Sequence, residues 1–464
     1  MTREAPAAGA ERHSRRVAVV GAGPSGLFAA QALLNTAPFD VEIDIFDRLP
    51  TPFGLLRYGV APDHESIKAI AGALAPVFAA ENVRFRGLVE LGRDVTVDEL
   101  RAAYDAVVYA AGASEDRRMG IPGESLLGSR SAREFVAWYS GHPDATAQSL
   151  SGVRTTVIAG VGNVAVDVAR MLLKPAAELA PTDMPQPVLA ELAAAEIDDV
   201  WVIGRRGPEH ASFTTTELRE LISTPGVEVS IGGADLETID DDILDRRTRA
   251  NVLALTEAAR RPVENPRARL RFLFWHRPVR LVGGGRVEQV TLERTVPAGP
   301  GAVEGSGEFT TIEAQLVLRA IGYRGIPLPG VPFDVVTGRI PNAEGRVVDE
   351  TGVIRPGEYA VGWIKRGPIG VIGTNKADAR ETIAHLVTDL TEAPERELID
   401  LDRALAERGF TPSTLEDWQR IDAAEQARGE ESGRERTKIE AWHELLDLVR
   451  LGRAGGPPSL ADRR

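Results

Sequence analysis

Cysteine is absent from the chain. That excludes a CxxC dithiol, a thiolate-held iron–sulfur cluster, a cysteine-rich zinc site and any disulfide framework. Long hydrophobic runs are missing too: nowhere do about 18 apolar residues follow one another, as a membrane-spanning helix would need. The segment Met1–Arg16 has none of the apolar core of a signal peptide, so the sequence points to the cytoplasm. Lysine is scarce, five among 54 basic residues, so clusters of arginine arise here from composition alone. The net charge of -14 disfavours nonspecific nucleic-acid binding, which depends on neutralising phosphates, but it does not forbid a local basic docking face.

What is present fits a multidomain enzyme. The chain has 464 residues, 43% hydrophobic and 26% charged, long enough for about three domains by the usual length prior. Val17–Val20 reads as a strand, Gly21–Gly26 as a tight turn, Leu27–Leu34 as a helix and Val41–Phe46 as a second strand, which together make a parallel βαβ unit. A second such unit starts at Thr155–Ala159 and closes at Val200–Ile203. The fold class expected is therefore α/β, with two Rossmann-like dinucleotide-binding domains. Asp105–Ala113 and Gln315–Tyr323 are apolar strands ending in a small-residue turn, and they read as crossings between domains. This predicts an inner domain over 113–320 and a discontinuous outer domain made of 1–112 and 321–464. From about Glu392 the chain is rich in charged helix formers with apolar residues at Leu446, Leu448 and Leu451, which reads as surface helices completing the outer domain or as a partner-binding extension.

The two glycine loops carry the chemistry. Gly21-Ala22-Gly23-Pro24-Ser25-Gly26 fits GxGxxG directly after a strand: one glycine turns tightly, one lets the backbone approach a pyrophosphate, and one lets helix pack on strand. The helix N-terminus then offers free amides and a positive dipole to the diphosphate. Asp47, about twenty residues on at the end of the next strand, is placed to accept hydrogen bonds from ribose hydroxyls. Gly160-Val161-Gly162-Asn163-Val164-Ala165 fits the GxGxxA variant. Its following strand ends in Gly204-Arg205-Arg206, with no acid where the ribose carboxylate would lie. Two guanidiniums there suit a 2′-phosphate and favour NADP over NAD. The distance from Ala165 to Arg205 requires an insertion between about Lys174 and Ala195. Two unlike nucleotide sites in one chain point to hydride passing from a soluble nicotinamide to a bound flavin.

Longer strings carry a resemblance. Asp47–His64 (DRLPTPFGLLRYGVAPDH), Gly160–Arg170 (GVGNVAVDVAR), Gly204–Glu220 (GRRGPEHASFTTTELRE), Val361–Asp378 (VGWIKRGPIGVIGTNKAD) and Ile421–Ile439 (IDAAEQARGEESGRERTKI) resemble the adrenodoxin-reductase-like ferredoxin–NADP(+) reductases over nearly the full chain. The resemblance implies an FAD domain interrupted by an NADP domain. It implies that Ala22, Asp47, Leu55 and Leu91 line the FAD site, beside Gly21, Gly23, Ser25 and Gly26 of the first loop. It further implies that Gly162, Asn163, Val164, Ala165, Arg205, Arg206 and Glu217 hold NADP(H), and that Trp363, Gly370, Val371 and Ile372 contact the flavin. The family pattern often has Glu where this chain has Asp47, a shorter carboxylate. Glu217 has a competing reading, because Thr214–Glu217 also spells a helix capping box. Trp363 alone reads as a core aromatic. The run Gly367–Gly373 would bring backbone close to the ring, with a helix opening near Thr374 or Asn375 turning its positive dipole towards reduced flavin.

His64 and Glu220 match a His and Glu pair near the reacting rings, where they would position nicotinamide against flavin and tune local charge. The activity implied is hydride transfer from NADPH to FAD N5, then single electrons to a ferredoxin. Ferredoxins are usually acidic, so Arg246, Arg247 and Arg249, or Arg260, Arg261, Arg267 and Arg269, are candidate docking patches. A flavoprotein reductase with another acceptor, of quinone or diaphorase type, and a non-catalytic nucleotide-binding redox sensor share these features. Disulfide reductases and relatives with their own clusters do not, because both need cysteine.

Overall fold

The structure is a computed structural model, and it describes residues 14–239, 244–370 and 372–452. The leader reading of Met1–Arg16 falls mostly on residues outside that range, and Val371 lies outside it as well.

Two sheets, one wholly and one largely parallel, organise the chain, as the α/β expectation requires. In the first, the strands run in the order Asn342–Ala343, Arg346–Val348, Ile354–Ala360, Ala106–Tyr109, Ser14–Val20, Asp40–Phe46, Val83–Arg86. The last five are parallel, and the first two turn back antiparallel at the edge. From Ser14–Val20 the chain moves outwards through Asp40–Phe46 and Val83–Arg86, then returns to the other flank as Ala106–Tyr109. That reversal opens a crevice at the strand's carboxyl end, where the first glycine loop begins.

The second sheet is wholly parallel, ordered Ser129–Ser131, Leu316–Arg319, Thr155–Ala159, Asp199–Ile203, Ala268–Leu273, Val227–Gly232. Its own reversal lies beside Thr155–Ala159, at the second glycine loop. Both central strands are covered on two faces, which is why they read as continuous apolar runs instead of alternating ones: Val17, Ala18, Val157 and Ile158 are all fully buried. The insertion required by the long spacing is present as two helices, Ala176–Leu179 and Gln186–Ala194, between the second-loop helix and its next strand.

Every strand of the first sheet comes from residues 14–109 or 342–360, and every strand of the second from 129–319. The two passages between them lie side by side: Glu115–Asp116 pairs antiparallel with Tyr323–Arg324, and the Arg117 amide donates to the Gly322 carbonyl at 3.0 Å. A three-stranded antiparallel sheet, His276–Val282, Gln289–Pro297 and Val303–Glu313, packs Leu281, Val290 and Leu292 against Val157, Ile203 and Val317 of the second sheet.

The tail folds into helices Leu401–Glu407, Leu415–Glu431 and Trp442–Leu451. It packs Trp418, Ile421, Leu445 and Val449 into the core of the first sheet. Of the leucines singled out from the sequence, Leu446 and Leu448 are half-buried and Leu451 is 77% exposed; the fully buried ridge of that helix is Leu445 and Val449, one helical turn apart. Arg57 and Glu425 form a bidentate ion pair inside this junction, with the guanidinium 5.0 Å from the Trp418 ring centroid. Among the described residues no helix is long and apolar enough to cross a membrane.

Candidate functional site

The two glycine loops are built alike. The Gly21 amide donates to the Phe46 carbonyl at 2.8 Å, and the Gly160 amide donates to the Ile203 carbonyl at 2.9 Å, each reaching the end of the next strand. Gly21 sits at φ +115° and Gly160 at φ +131°. A Cβ at Gly21 would stand 2.5 Å from the Ala110 carbonyl oxygen, and one at Gly160 would stand 2.2 Å from that of Ala320. Neither position admits a side chain, because the strand arriving from the other flank passes directly underneath. A Cβ at Gly26 would lie 2.0 Å from the Gly21 carbonyl, which is the close helix–strand packing expected of the third glycine.

Gly23 differs. Its nearest neighbour outside the loop is the Gly54 Cα, 3.9 Å from a Cβ placed there, so the space in front of its backbone is open. Helix Pro24–Thr36 starts here with Gly23 as its N-cap and no side-chain cap, which leaves the first-turn amides to a ligand. Ser25 abuts Gly362, and the Phe53 amide donates to the Ala22 carbonyl at 2.8 Å, which brings Leu55, 39% exposed, next to the loop. The Asp47 carboxylate accepts from the Ala22 amide at 3.0 Å and the Leu49 amide at 2.9 Å. Burial raises its pKa, opposed by those two hydrogen bonds. Each oxygen keeps a lone pair for a hydroxyl donor. Leu91 is half-buried in the cluster that holds Val20 and Phe46.

At the second loop the Asn163 side chain accepts from the Thr214 amide at 2.7 Å, fastening the helix that starts there to the segment before Thr215–Ile222. Val164 is half-buried against the inner core and Ala165 is buried in it, while a Cβ at Gly162 would come no nearer than 3.2 Å to the Ser212 hydroxyl. Arg205 is exposed and Arg206 half-exposed. Neither pairs with a described carboxylate, in a chain where most arginines do.

The capping-box reading of Thr214–Glu217 is not realised. Thr214 is the N-cap of helix Thr215–Ile222, but its hydroxyl accepts nothing, and its backbone amide, which the Glu217 carboxylate would have met in a capping box, donates to Asn163 instead. Both the Thr214 hydroxyl and Glu217 Oε2 are buried without a hydrogen-bond partner. Burial raises the Glu217 pKa.

His64 links the two halves. Its Nε2 lies 3.0 Å from Asp167 Oδ1 and 2.8 Å from Arg170 Nη2, and its Nδ1 lies 3.5 Å from Glu220 Oε2. Asp167 and Arg170 stand on the second-loop helix Asn163–Leu173 and Glu220 on helix Thr215–Ile222, so a residue contributed by the first sheet's side is held by two elements of the other. Burial pulls the His64 pKa down, but the hydrogen bond to Asp167 and the charges of Asp167 and Glu220 outweigh it, and the net shift is upwards. Arg170, 1% exposed, also grips Asp63 through two 2.9 Å hydrogen bonds, and Lys174 adds a third at 3.0 Å. Burial pushes the Asp63 carboxyl up; these cations override it and bring it down to about 2.

At the far side Trp363 stacks on Tyr323, ring centroids 5.6 Å apart at 28°. Its indole Nε1 is buried without a partner. Gly370 is exposed at φ +91°. The helix after it opens at Ile372, earlier than the Thr374 or Asn375 expected, and its first turn contains the Asn375 that accepts from Arg366. The Gly362 amide donates to Asp378 on the same helix.

The sequence compares accordingly. The model of the pyridine nucleotide-disulphide oxidoreductases matches residues 15–206. An NADPH-ferredoxin reductase, FprA, of Mycobacterium tuberculosis is 43% identical over 94% of this chain and 98% of its own. The chain belongs to the ferredoxin and adrenodoxin reductase family. The human mitochondrial NADPH:adrenodoxin oxidoreductase is 39% identical over 94% of this chain and 92% of its own. The solved structure of the M. tuberculosis FprA in complex with NADPH superposes with a TM-score of 0.87 at 42% identity, covering 95% of this chain and all of that one.

The residues present fit the two groups of such a reductase. The open face at Gly23, the uncapped helix behind it and the unsatisfied Trp363 indole suit FAD. The unpaired Arg205 and Arg206 and the unpartnered Glu217 Oε2 and Thr214 hydroxyl suit a phosphorylated dinucleotide. Three side chains at the junction escaped sequence reasoning: Asp63, Asp167 and Arg170. The signal was there in part, because Asn163, Asp167 and Arg170 share one face of a helix that is otherwise small and apolar. A charged pair on such a face needs buried partners.

Proposed function

We propose that this protein is an FAD-dependent ferredoxin–NADP(+) reductase of the cytoplasm. The outer domain, residues 1–112 and 321–464, would hold FAD, and the inner domain, 113–320, would hold NADP(H). When bound, the flavin accepts hydride from NADPH at N5 and releases the two electrons singly to an iron–sulfur carrier.

The observation that carries this reading is the bridge through His64. The residue before the short helix Glu65–Leu74 is held by Asp167 on the second-loop helix and by Glu220, which supports a junction at which the nicotinamide end of one cradle would meet the flavin end of the other. Gly21, Ala22, Gly23, Ser25, Gly26 and Asp47, with Leu55 and Leu91, shape the FAD cradle. Gly162, Asn163, Val164, Ala165, Glu217, Arg205 and Arg206 shape that of NADP(H). Trp363, Gly370 and Ile372 would lie along the flavin, and Val371, outside the described residues, is assigned there by the resemblance alone. His64 and Glu220 position the nicotinamide and set the local charge; hydride transfer needs no side-chain base, so their part is preorganisation. Tyr323 stacks on Trp363 and would back it on the side away from the flavin.

With no cysteine the chain has no internal thiolate cluster or dithiol to receive electrons, and the carrier must be a separate molecule. Anaerobic addition of NADPH to the purified holoprotein tests the reading: the yellow flavin should bleach rapidly and reduce an added ferredoxin. A colourless protein that refuses FAD, or a yellow one that NADPH does not bleach, refutes it.

A further inference from the structure

The tail does more than complete the core of the first sheet. Between helices Leu415–Glu431 and Trp442–Leu451 it runs along the second sheet's side and is fastened there at three places. The Lys438 ammonium, 3% exposed, donates to the Arg57 carbonyl at 2.6 Å and lies 3.0 Å from the Asp183 carboxylate, while the Lys438 amide donates to the Asp183 carbonyl at 3.2 Å. Arg434 donates to the Met184 carbonyl at 3.1 Å and to the Gln186 side chain at 2.8 Å. The Trp442 indole donates to Asp144 at 2.7 Å, and Asp144 also pairs with Arg48. Arg48 and Arg57 belong to the first sheet's side; Asp144 and the insertion residues Asp183, Met184 and Gln186 belong to the second's. The segment from Arg434 to Trp442 is therefore stitched to both.

Asp183 is the knot. It pairs with Lys68 as well as with Lys438, and Lys68 stands on helix Glu65–Leu74 one turn beyond His64. The helix that presents His64 to Asp167 and Glu220 is gripped a second time, by an anion of the insertion that Lys438 holds from behind. Burial pushes the Asp183 carboxyl up; the ammonium groups of Lys438 and Lys68 override it and bring it down to about 2. Lys438 is a costly residue to bury: loss of water draws its ammonium from the ordinary 10.5 down to about 7, against the pull of Asp183. An apolar side chain of the same volume often matches a buried ion in stability, and what the ion can add is a fixed geometry.

We propose that the segment Arg434–Trp442 is a strap that fixes the angle between the two nucleotide units, and that Lys438, acting through Asp183 and Lys68, is a positioning residue for hydride transfer from NADPH to the flavin. The proposal rests on the reading of the chain as a flavin-dependent reductase. Hydride transfer needs its reacting atoms about 3–3.5 Å apart, and a misplacement of about 1 Å can cost about 100-fold in rate. The route from the strap to that junction is short, running from Lys438 to Asp183, to Lys68 and along one helical turn to His64.

The test uses the holoprotein with Lys438→Met, which keeps the length of the side chain and leaves Asp183 paired with Lys68. In anaerobic stopped-flow the limiting rate of flavin reduction should fall about tenfold, while the NADPH concentration for half-maximal rate, the FAD content and the melting temperature stay as in wild type. Because the chain has no cysteine, spin labels can be attached at Glu81→Cys and Glu257→Cys, both exposed and one on each side. The distance distribution between them in the oxidised protein should be narrow in wild type and broad in Lys438→Met. Asp144→Ala, at the exposed end of the strap, should broaden it too and slow reduction about threefold, and it carries the test if Lys438→Met fails to retain FAD. An unchanged limiting rate would overturn the strap. So would a slower rate with a distribution as narrow as in wild type, or a lower melting temperature with neither change, which would assign Lys438 to stability alone. A wild-type holoprotein that NADPH fails to bleach would remove the reductase reading, whereas the distances, read without nucleotide, would still decide whether the strap fixes the angle.

Discussion

Replacing Arg205 and Arg206 together by Ala is the sharpest test of the second cradle. Both guanidiniums lack a carboxylate partner, so the change breaks no ion pair. What the two residues give the fold is backbone: the Arg205 carbonyl accepts from the Thr295 hydroxyl at 2.8 Å and the Arg206 carbonyl from the Trp275 amide at 3.3 Å, and alanine keeps both. The loss is therefore confined to the ligand. A hydrogen bond to a charged group contributes about 1.5–3 kcal/mol, and exposure of Arg205 places the pair towards the lower end, about 2–3 kcal/mol in all. That corresponds to a drop in kcat/KM for NADPH of roughly 30- to 150-fold. NADH, with no 2′-phosphate, should lose less than about threefold. The assay is anaerobic stopped-flow reduction of the flavin by each nucleotide in wild type and variant, compared as the NADPH-to-NADH ratio of kcat/KM. A ratio that stays put, whether both rates hold or both fall together, refutes the assignment of these arginines to the 2′-phosphate.

Three further outcomes follow from the packing. Asp63→Asn removes the anion held by Arg170 and Lys174. Because the folded pKa of about 2 lies below the ordinary 3.8, Asp63 contributes its full stability above about pH 4 and loses it as pH falls through 2; the gap in melting temperature between wild type and variant should be wide at pH 6 and close below pH 2, and a pH-independent gap would contradict the ion pair. Glu425→Gln leaves the Arg57 guanidinium buried against a neutral group and should destabilise the protein by about 3–5 kcal/mol in urea unfolding, whereas a loss under 1 kcal/mol would show that water reaches the pair. Gly21→Ala forces a Cβ to 2.5 Å from the Ala110 carbonyl at φ +115°, so the purified variant should carry little FAD; full flavin content would mean that the loop shifts without penalty.

Much of the architecture could be read from two kinds of local signal. Strand–glycine–helix punctuation announced both Rossmann units, since Gly21 and Gly160 occupy backbone conformations that other residues rarely adopt, and chemistry that strict survives in the letters. The unequal ends of the second strands, Asp47 against Arg205 and Arg206, likewise distinguished the two units in the sequence. What stayed illegible depends on residues far apart in the chain meeting across a junction. Nothing near His64 in sequence names Asp167 or Arg170 as its neighbours, more than 100 positions away. The capping box at Thr214 misled for the same reason. The local pattern was sound, but Asn163, from another helix, took the amide that Glu217 would have met.

The pairing of Glu115–Asp116 with Tyr323–Arg324 has a consequence for how such a molecule could be dissected. Both seams of the inner unit pass through one short ribbon, so its entry and exit points are nearly coincident in space. An excised outer half needs only a few residues, of the kind found in a tight hairpin, to rejoin its cut ends. The same coincidence makes this ribbon the natural pivot for any swing of one nucleotide unit against the other.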